Sequence, residues 1–331
     1  MRLLRWLIVL LLLAAAGSAA WLWRWLDQPL PLRSHTVELS IEPGANPREV
    51  ANAWVRAGVD VPPRMLYEWF RWSGDARRIR AGSYVAGPEV SPRQLLAKMV
   101  QGDEAFERVR LIEGWTLKQF RAELARAPHL KPVSAAMSET QLMAAIGADG
   151  VAAEGRFFPD TYMYSRGVSD ITVLRRAYHA MHRHLNAAWE ARAGELPLRT
   201  PDDALILASI VEKETGKASD RAQIAGVFNN RLRVGMPLQT DPAVIYGLGD
   251  AFDGNLRKRD LLTDGPFNTY MRAGLPPTPI AMPGLASLKA AVNPERTKAL
   301  YFVARGDGSS VFSDSLLDHN RAVNQYQRGV R

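Results

Sequence analysis

The sequence predicts an α+β protein carried on one N-terminal transmembrane helix. An uncharged run over residues 6–23 has the length of a membrane span, and beyond it short alternating strands are interleaved with capped helices. A mainly helical stretch over residues 128–198 separates two regions in which strands and helices mix. With 331 residues the chain is long enough for two domains or one large one. Cysteine is absent, which excludes disulfides, thiolate metal sites, a cysteine nucleophile and a lipid-modified N-terminal cysteine. A formal charge of +8 suits an anionic neighbour: membrane, cell-wall polymer or nucleic acid.

The first element narrows that choice. Residues 6–23 are mostly Leu, Ala, Val and Ile, with Arg2 and Arg5 before them and Arg24 after. As a helix the run spans roughly 27 Å, close to the hydrocarbon thickness. Trp6, Trp21, Trp23 and Trp25 stand where interfacial aromatic belts form. Ala16-Gly17-Ser18-Ala19 resembles a small-residue cleavage site, but Trp21-Leu22-Trp23 continue the apolar run past it, as a retained anchor requires. Arg2, Arg5 and the amino terminus favour a cytoplasmic N-terminus over residues 1–5, an anchor over 6–26 and a linker over 27–34. The rest of the chain then lies outside the cytoplasm, so nucleic acid is not an expected partner.

The next elements follow from alternation and caps. Val37, Leu39 and Ile41 alternate along a strand over residues 35–41, and Pro43-Gly44 turn the chain. Asn46-Pro47-Arg48-Glu49 supplies a cap, a first-turn proline and an acid at the third position. The helix it starts carries Val50, Ala53, Trp54 and Ala57 and stops at Gly58. A second helix is expected over 65–72, a strand over 81–85, and a helix opened by Ser91-Pro92-Arg93-Gln94 that runs to Gly102. Strand, Glu, Gly turn and capped helix recur over residues 109–120 as a weak internal repeat. The layout over residues 35–104 resembles LysM-like modules, which implies binding of N-acetylglucosamine polymers. Strand, turn and capped helix are also common parts of any α+β domain.

Farther on, helices are expected over 140–146 and 171–192, the second burying Leu174, Ala177, Tyr178, Met181 and Leu185. His179, His182 and His184 make no metal site, because only the first two share a face and Arg175, Arg176 and Arg183 turn that face into a solvated basic one. No metal or other cofactor is expected. Between these helices, Glu154-Gly155-Arg156-Phe157-Phe158-Pro159-Asp160-Thr161-Tyr162 is an aromatic, proline-broken loop, suited to stacking on a sugar face or to pinning itself to the core.

The chemistry centres on residues 205–216, where an apolar run ends in Glu212-Lys213-Glu214. Thr200-Pro201-Asp202-Asp203 opens this helix with a cap hydroxyl, a first-position proline and an acid, and Gly216 is the expected stop. At about 100° per residue, Glu214 shares a face with Leu207, Ile210 and Val211, while Glu212 points toward the side of Leu205, Ala208 and Ser209. A carboxylate that extends an apolar stripe either snorkels at its edge or sits in a partly dry cleft. In the cleft, desolvation and the negative helix end raise its pKa toward what a general acid needs.

Downstream, a helix capped by Ser219 buries Ile224, Val227, Phe228 and Leu232 and ends in Asn229-Asn230-Arg231. A polar turn over 235–242 leads to an apolar stretch over 243–246 and then to a proline-stiffened aromatic loop over 267–277. A helix over 285–292, a hairpin of 300–304 with 310–313 and a last helix over 316–326 close the chain. Phosphate-binding glycine loops, His-Glu metal motifs and serine nucleophile elbows are absent from the sequence. Carboxylates among amide, hydroxyl and aromatic groups point, as a class, to glycoside chemistry.

The segments Ile210-Val211-Glu212-Lys213-Glu214-Thr215, Val227-Phe228-Asn229-Asn230-Arg231-Leu232, Leu238-Gln239-Thr240-Asp241-Pro242 and Gly274-Leu275-Pro276-Pro277 with Pro283-Gly284 resemble the MltG/YceG-like family of membrane-anchored endolytic murein transglycosylases. Glu113-Gly114-Trp115 and Phe158-Pro159-Asp160-Thr161 extend the resemblance over nearly the whole chain, with Arg156-Phe157-Phe158 as a departure in ring identity. It implies cleavage of the MurNAc-β-1,4-GlcNAc bond within nascent peptidoglycan glycan strands without water, leaving 1,6-anhydro-MurNAc ends and limiting strand elongation. It implies Glu214 as the catalytic acid and base, and Asn230, Gln239, Thr240, Asp241 and Tyr246 as substrate-positioning residues, with Glu212 a surface or supporting group. It further implies a single-pass protein of the cytoplasmic (inner) membrane with a periplasmic or extracytoplasmic catalytic domain over 105–331, divided into a connecting part (105–198) and an active-site part (199–331). Glycan strands, the membrane and peptidoglycan synthases are the expected partners. The alternatives are an anchored, non-catalytic peptidoglycan-binding protein and a hydrolytic muramidase with Asp241 as second carboxylate.

Overall fold

The computed structural model describes residues 2–103 and 106–329. Met1 and the domain boundary expected at Glu104 and Ala105 lie outside the described residues. The chain divides into two compact units. The first is Met1–Arg108 with two short returns, Pro128–Leu130 and Met163–Val168; the second is the remainder.

In the first unit, α1 (Arg2–Asp27) is one continuous helix, and its window Val9–Asp27 is the one helix among the described residues long and apolar enough to cross a membrane. It is followed by β1 (Val37–Ile41), α2 (Pro47–Ala57), α3 (Pro63–Trp72), β2 (Gly82–Ala86) and α4 (Pro92–Gln101). β1 and β2 pair antiparallel, Val37 opposite Ala86 and Ile41 opposite Gly82. The capping boxes expected at Asn46 and Ser91 both form, and Gly58 closes α2. Trp54 is fully buried at the centre, its indole N–H 3.3 Å from Met99 Sδ, among Val37, Ile41, Val50, Leu66, Phe70, Tyr84 and Leu95. Within residues 27–34, expected as a linker, Leu30 and Leu32 pack onto the core of this unit while the other side chains stay exposed. Leu30 is buried and donates its amide to Val90 O, and Arg33 N and Asp60 N bond to Gly58 O and Pro31 O. Apolar side chains at Leu30 and Leu32 have no reason to stay in water when a core stands beside them.

β3 (Phe106–Arg110) pairs with β4 (Thr161–Ser165), and these strands carry the chain out of the first unit and back. The strand expected over residues 109–112 thus ends at Arg110, and Gly114, at φ 76°, turns the chain toward Thr116, which caps the next helix through a box with Gln119.

The second unit is mainly helical: α5 (Leu117–Arg126), α6 (Glu139–Ile146), α7 (Asp170–Glu190), α8 (Pro201–Glu214), α9 (Ala218–Arg233), α10 (Asp241–Leu248), α11 (Lys258–Leu262) and α12 (Leu285–Val292), then the hairpin β5 (Tyr301–Ala304) and β6 (Ser310–Ser313) and the last helix α13 (Leu316–Tyr326). α8 is its axis. Thr200 caps it through a box with Asp203, and α7, α9, α10 and α12 pack around it. Every residue from 204 to 211 is buried, so the single apolar face read from the sequence is instead apolar all round. The helix ends at Glu214 with an extended Thr215, and Gly216 is not the stop. Ser219 does not cap α9, which begins one residue earlier, at Ala218; its hydroxyl donates to Asp220, whose other oxygen takes the Ser310 amide at 2.7 Å. α11 and the helical form of residues 241–248 had no expected counterpart.

Gly226 shows how closely α9 is approached. A Cβ there would lie 2.7 Å from the Glu295 carbonyl oxygen and 2.9 Å from Thr297 Cγ2. In a free helix Gly→Ala gains up to about 1 kcal/mol; here Gly226→Ala is expected to destabilise by about 1–3 kcal/mol through overpacking against backbone. Urea unfolding of the two chains checks the sign, and a stabilised variant would refute the close approach.

Candidate active site

Glu214 is the last residue of α8 and is half-buried. Its Oε1 accepts a 2.5 Å hydrogen bond from the Thr240 hydroxyl. Thr240 stands at the N-cap of α10, yet its side chain caps nothing there, because the hydroxyl is turned to Glu214. It is 1% exposed and held from behind: its amide donates to Thr269 Oγ1 at 3.0 Å, Thr269 Oγ1 donates to Thr240 O at 3.3 Å, and Gln239 N donates to Thr269 O at 3.0 Å. Gln239 adopts φ 50°, a left-handed conformation that is uncommon for a residue with a side chain and persists where surroundings enforce it. Its side chain is exposed. Just before it, Leu238 O accepts a 2.8 Å bond from Nη1 of buried Arg231, whose Nε holds Leu300 O at 2.7 Å.

Burial pushes the Glu214 carboxyl up to about 7, with the Asp241 charge acting in the same direction and the Thr240 hydrogen bond and Arg231 opposing. Its place at a helix C-terminus adds to the rise. Asp241, exposed in the first turn of α10, accepts the Tyr270 hydroxyl at 2.6 Å. Burial and that carboxylate hold the Tyr270 phenol above its usual range.

Glu212 faces a different nest. Its side chain is 8% exposed, its Oε2 accepts the Gly284 amide at 3.0 Å, and Arg221 Nη2 stands 4.0 Å from Oε1. Glu113 lies close enough that a Cβ on Gly284 would come within 1.9 Å of its Oε1, and burial and the Glu212 charge raise the Glu113 pKa. The surface position considered for Glu212 is therefore corrected: it ties α8 to the start of α12. Lys213 Nζ adds a bond to Gly114 O at 3.2 Å.

Of the residues expected at the site, the structure brings together Glu214, Thr240 and Asp241, with Gln239 adjoining. Thr240, too buried to face a ligand, turns its hydroxyl to Glu214 instead. Asn230 stands apart. Its amide donates to Thr297 O at 2.8 Å and Ala299 O at 3.0 Å, which leaves no free donor for a substrate and makes it a fastener of the chain before β5. Tyr246 packs edge-on against Phe267 at 4.9 Å and reaches Glu154 Oε2 at 3.3 Å. Glu154 is buried, takes the Leu117 amide at the start of α5, and is pushed up to about 7 by burial. Tyr270 and Thr269 were not assigned to the site from the sequence, and Glu154, Glu113 and Glu212, though named there, were given no place beside one another or beside Tyr246. The first two lay inside a loop already marked as polar and aromatic, but no local signal tells which distant hydroxyl such a loop will meet.

A carboxyl group pushed up toward neutrality, with the Asp241 carboxylate, a hydroxyl and a phenol around it on an α+β scaffold, makes this a candidate acid–base site. The chain belongs to the YceG-like family, whose signature matches residues 39–325. It is 31% identical to an endolytic murein transglycosylase of Bacillus subtilis over 88% of this chain and 85% of that one. It is 28% identical to an endolytic murein transglycosylase of Streptococcus pneumoniae over 97% of this chain and 64% of the longer relative. A crystal structure of a YceG-like protein from Listeria monocytogenes superimposes with a TM-score of 0.56 at 28% identity, covering 86% of this chain and 98% of that one.

Glu214 and Glu154 link the site to stability. Both rise from 4.5 to about 7 on folding, so below pH 4.5 folded and unfolded chains are equally protonated and their contribution is intact. Between pH 4.5 and 7 the unfolded chain loses protons that the folded chain keeps, and stability falls as pH rises through that window. Denaturant midpoints from pH 5 to 8 should decline less steeply for Glu214→Gln and Glu154→Gln than for the parent; identical slopes would contradict the raised values.

Proposed function

We propose that this chain is an endolytic lytic transglycosylase of peptidoglycan, with Glu214 as its single acid–base group. The observation that carries the reading is a half-buried carboxyl pushed up to about 7 and gripped at Oε1 by Thr240. The hydroxyl donor at Oε1 leaves Oε2 to carry the transferable proton. The protonated group gives that proton to the glycosidic oxygen between N-acetylmuramic acid and N-acetylglucosamine, and the bond from C1 to that oxygen breaks. The resulting carboxylate takes the proton of the muramic acid C6 hydroxyl as its oxygen bonds to C1. The products are a free 4-hydroxyl on N-acetylglucosamine and a 1,6-anhydro-N-acetylmuramic acid end; no water enters. The same group acts twice, so no second carboxylate at nucleophile distance is needed. Asp241 adds to the burial that keeps Glu214 protonated and, with Tyr270, Gln239 and Tyr246, lines the sugars. Glu212, Thr240 and Arg231 hold these groups in place.

Other features support the surrounding picture. The order β1, α2, α3, β2 with an antiparallel strand pair supports a LysM-like module that binds N-acetylglucosamine polymers. The length and composition of α1 support a single-pass anchor with a cytoplasmic N-terminus and both units on the outer face of the cytoplasmic membrane. Cleavage there limits the elongation of nascent strands and makes peptidoglycan synthases natural neighbours.

Digestion of uncrosslinked glycan strands followed by mass spectrometry tests the reaction. Ends one water lighter than hydrolytic fragments are expected. Hydrated reducing ends would mean a muramidase with Asp241 as second carboxylate, and no product from intact protein would mean a binding protein. Glu214→Gln should lower the rate by about 10²–10⁴-fold, the usual worth of a general acid, whereas loss at Glu212→Gln with survival at Glu214→Gln would reverse the assignment.

Thr240 has a separate signature. kcat/KM should fall as pH rises through about 7, where Glu214 loses its proton. Thr240→Val, lacking the bond that stabilises the carboxylate, should move that inflection upward and slow turnover about tenfold, in keeping with a hydrogen bond to a charged group; Thr240→Ser should restore both. A Val variant with an unmoved pH profile would reduce Thr240 to a packing residue.

A further inference from the structure

We propose that the first unit carries a phospholipid-binding face, filled by the outer leaflet of the bilayer that α1 crosses; the inference rests on reading α1 as a membrane anchor. The face is a groove of about 620 Å³ between the end of α1 and α3, walled by Trp21, Trp23, Leu26, Met65, Trp69 and Trp72. Three of those indoles are largely bare: Trp21 is 60%, Trp23 67% and Trp72 72% exposed. Bare indoles gathered around one groove mark a surface with a partner.

The position of the groove along α1 names that partner. Trp6 precedes Trp21 and Trp23 by fifteen to seventeen residues, about 23–26 Å of helix, so with Trp6 at one boundary of the hydrocarbon the other two reach the opposite boundary. Trp69 and Trp72 of α3 share the groove with them and therefore stand at headgroup depth, where tryptophan is favoured. The end of α1 does not swing freely from this position. The Arg93 guanidinium lies 5.0 Å over the Trp23 ring and 5.6 Å over the Trp69 ring and bonds through Nε to Asp27 at 2.8 Å. Trp69 donates its indole N–H to Pro92 O at 3.1 Å, and Leu26 is buried.

The chemistry of the lining suits a lipid better than a sugar. Its polar members are Arg64 and Glu68, the latter already paired with Arg71 at 2.8 Å, and no amide or hydroxyl side chain is among them. The hydroxyls of a sugar call for several converging donors and acceptors, whereas an acyl chain calls for apolar surface alone. Residues 63–80 carry Arg64, Arg71, Arg77, Arg78 and Arg80 against Glu68 and Asp75, a balance that attracts the phosphate of an anionic lipid. The first unit thus lies on the membrane surface, its anchor and α3 sharing one bed of lipid.

The absence of cysteine makes the test direct. Full-length Trp72→Cys and Leu12→Cys chains, each carrying a nitroxide, are reconstituted in phosphatidylethanolamine–phosphatidylglycerol vesicles, and collisions with oxygen and with an aqueous nickel chelate are compared. The label at 12 should lie deep in hydrocarbon. The label at 72 should sit at headgroup depth, with nickel collisions severalfold below those of a water-exposed nitroxide. Phosphatidylglycerol with a photoreactive acyl chain should label α3 in the otherwise unaltered protein, and Arg64→Glu should reduce that labelling severalfold. A deep label at 12 with a water-exposed label at 72 overturns the lipid face and leaves the anchor standing. A water-exposed label at 12 removes the anchor and the proposal together. A label at 72 shielded in native membranes but exposed to water in the vesicles assigns the face to a protein, which also overturns the proposal.

Discussion

The burial of α8 from residue 204 to 211 is the constraint on which the second unit depends. Residues 204–211 are enclosed by α7, α9, α10 and α12, so the last turn of the helix ends among protein groups rather than in open water. That turn carries unpaired carbonyls and two acids, and polar groups in such a place must be satisfied by the fold. Glu212 is met by the Gly284 amide beside Arg221, and Glu214 by Thr240. Each partner comes from a distant segment: Gly284 introduces α12, and Thr240 introduces α10. The loops around the helix end are therefore organised by the need to satisfy it.

The same burial gives the site its chemistry. Desolvation is the largest influence on Glu214 and favours the neutral acid, the Asp241 charge adds to it, and one hydroxyl donor keeps the carboxylate accessible. A group with more donors would be a permanent anion, and one with none would be a permanent acid. Arg231 contributes at one remove. It is buried beneath the strained Gln239 turn and fixes Leu238, so the Thr240 hydroxyl is aimed by backbone bonds rather than by its own rotamer alone. Asn229 and Asn230 extend this role, fastening Ala291, Thr297 and Ala299 through their amide groups.

The first unit solves a different problem. Its small core, centred on Trp54, forms beside a helix whose other end is too apolar for water. Packing Leu26 and Leu30 against the unit and clamping Trp23 and Trp69 with Arg93 removes the slack that a linker would introduce. Indoles that would be a liability on a free module become an asset at a lipid boundary.

By itself the sequence determined the α+β class, the apolar span and most helix starts, and it marked Glu214 as the candidate acid. Those features are local: a cap such as Asn46 or Thr200 is read within three residues, a strand by alternation, an anchor by a continuous apolar run. Helix geometry separated Glu214 from Glu212, but it assumed a helix with a wet side, and α8 has none between residues 204 and 211. Only the tertiary structure put the Thr240 hydroxyl on Glu214 and the Tyr270 hydroxyl on Asp241, turned Asn230 to the backbone of Thr297 and Ala299, and covered most of the Glu212 side chain. It also drew Leu30 and Leu32 onto a core. These outcomes depend on contacts between residues far apart in the chain, such as Glu214 with Thr240 or Asn230 with Thr297, which no period or cap encodes, because the hydrogen-bond partner of a buried group is chosen by packing rather than by sequence distance.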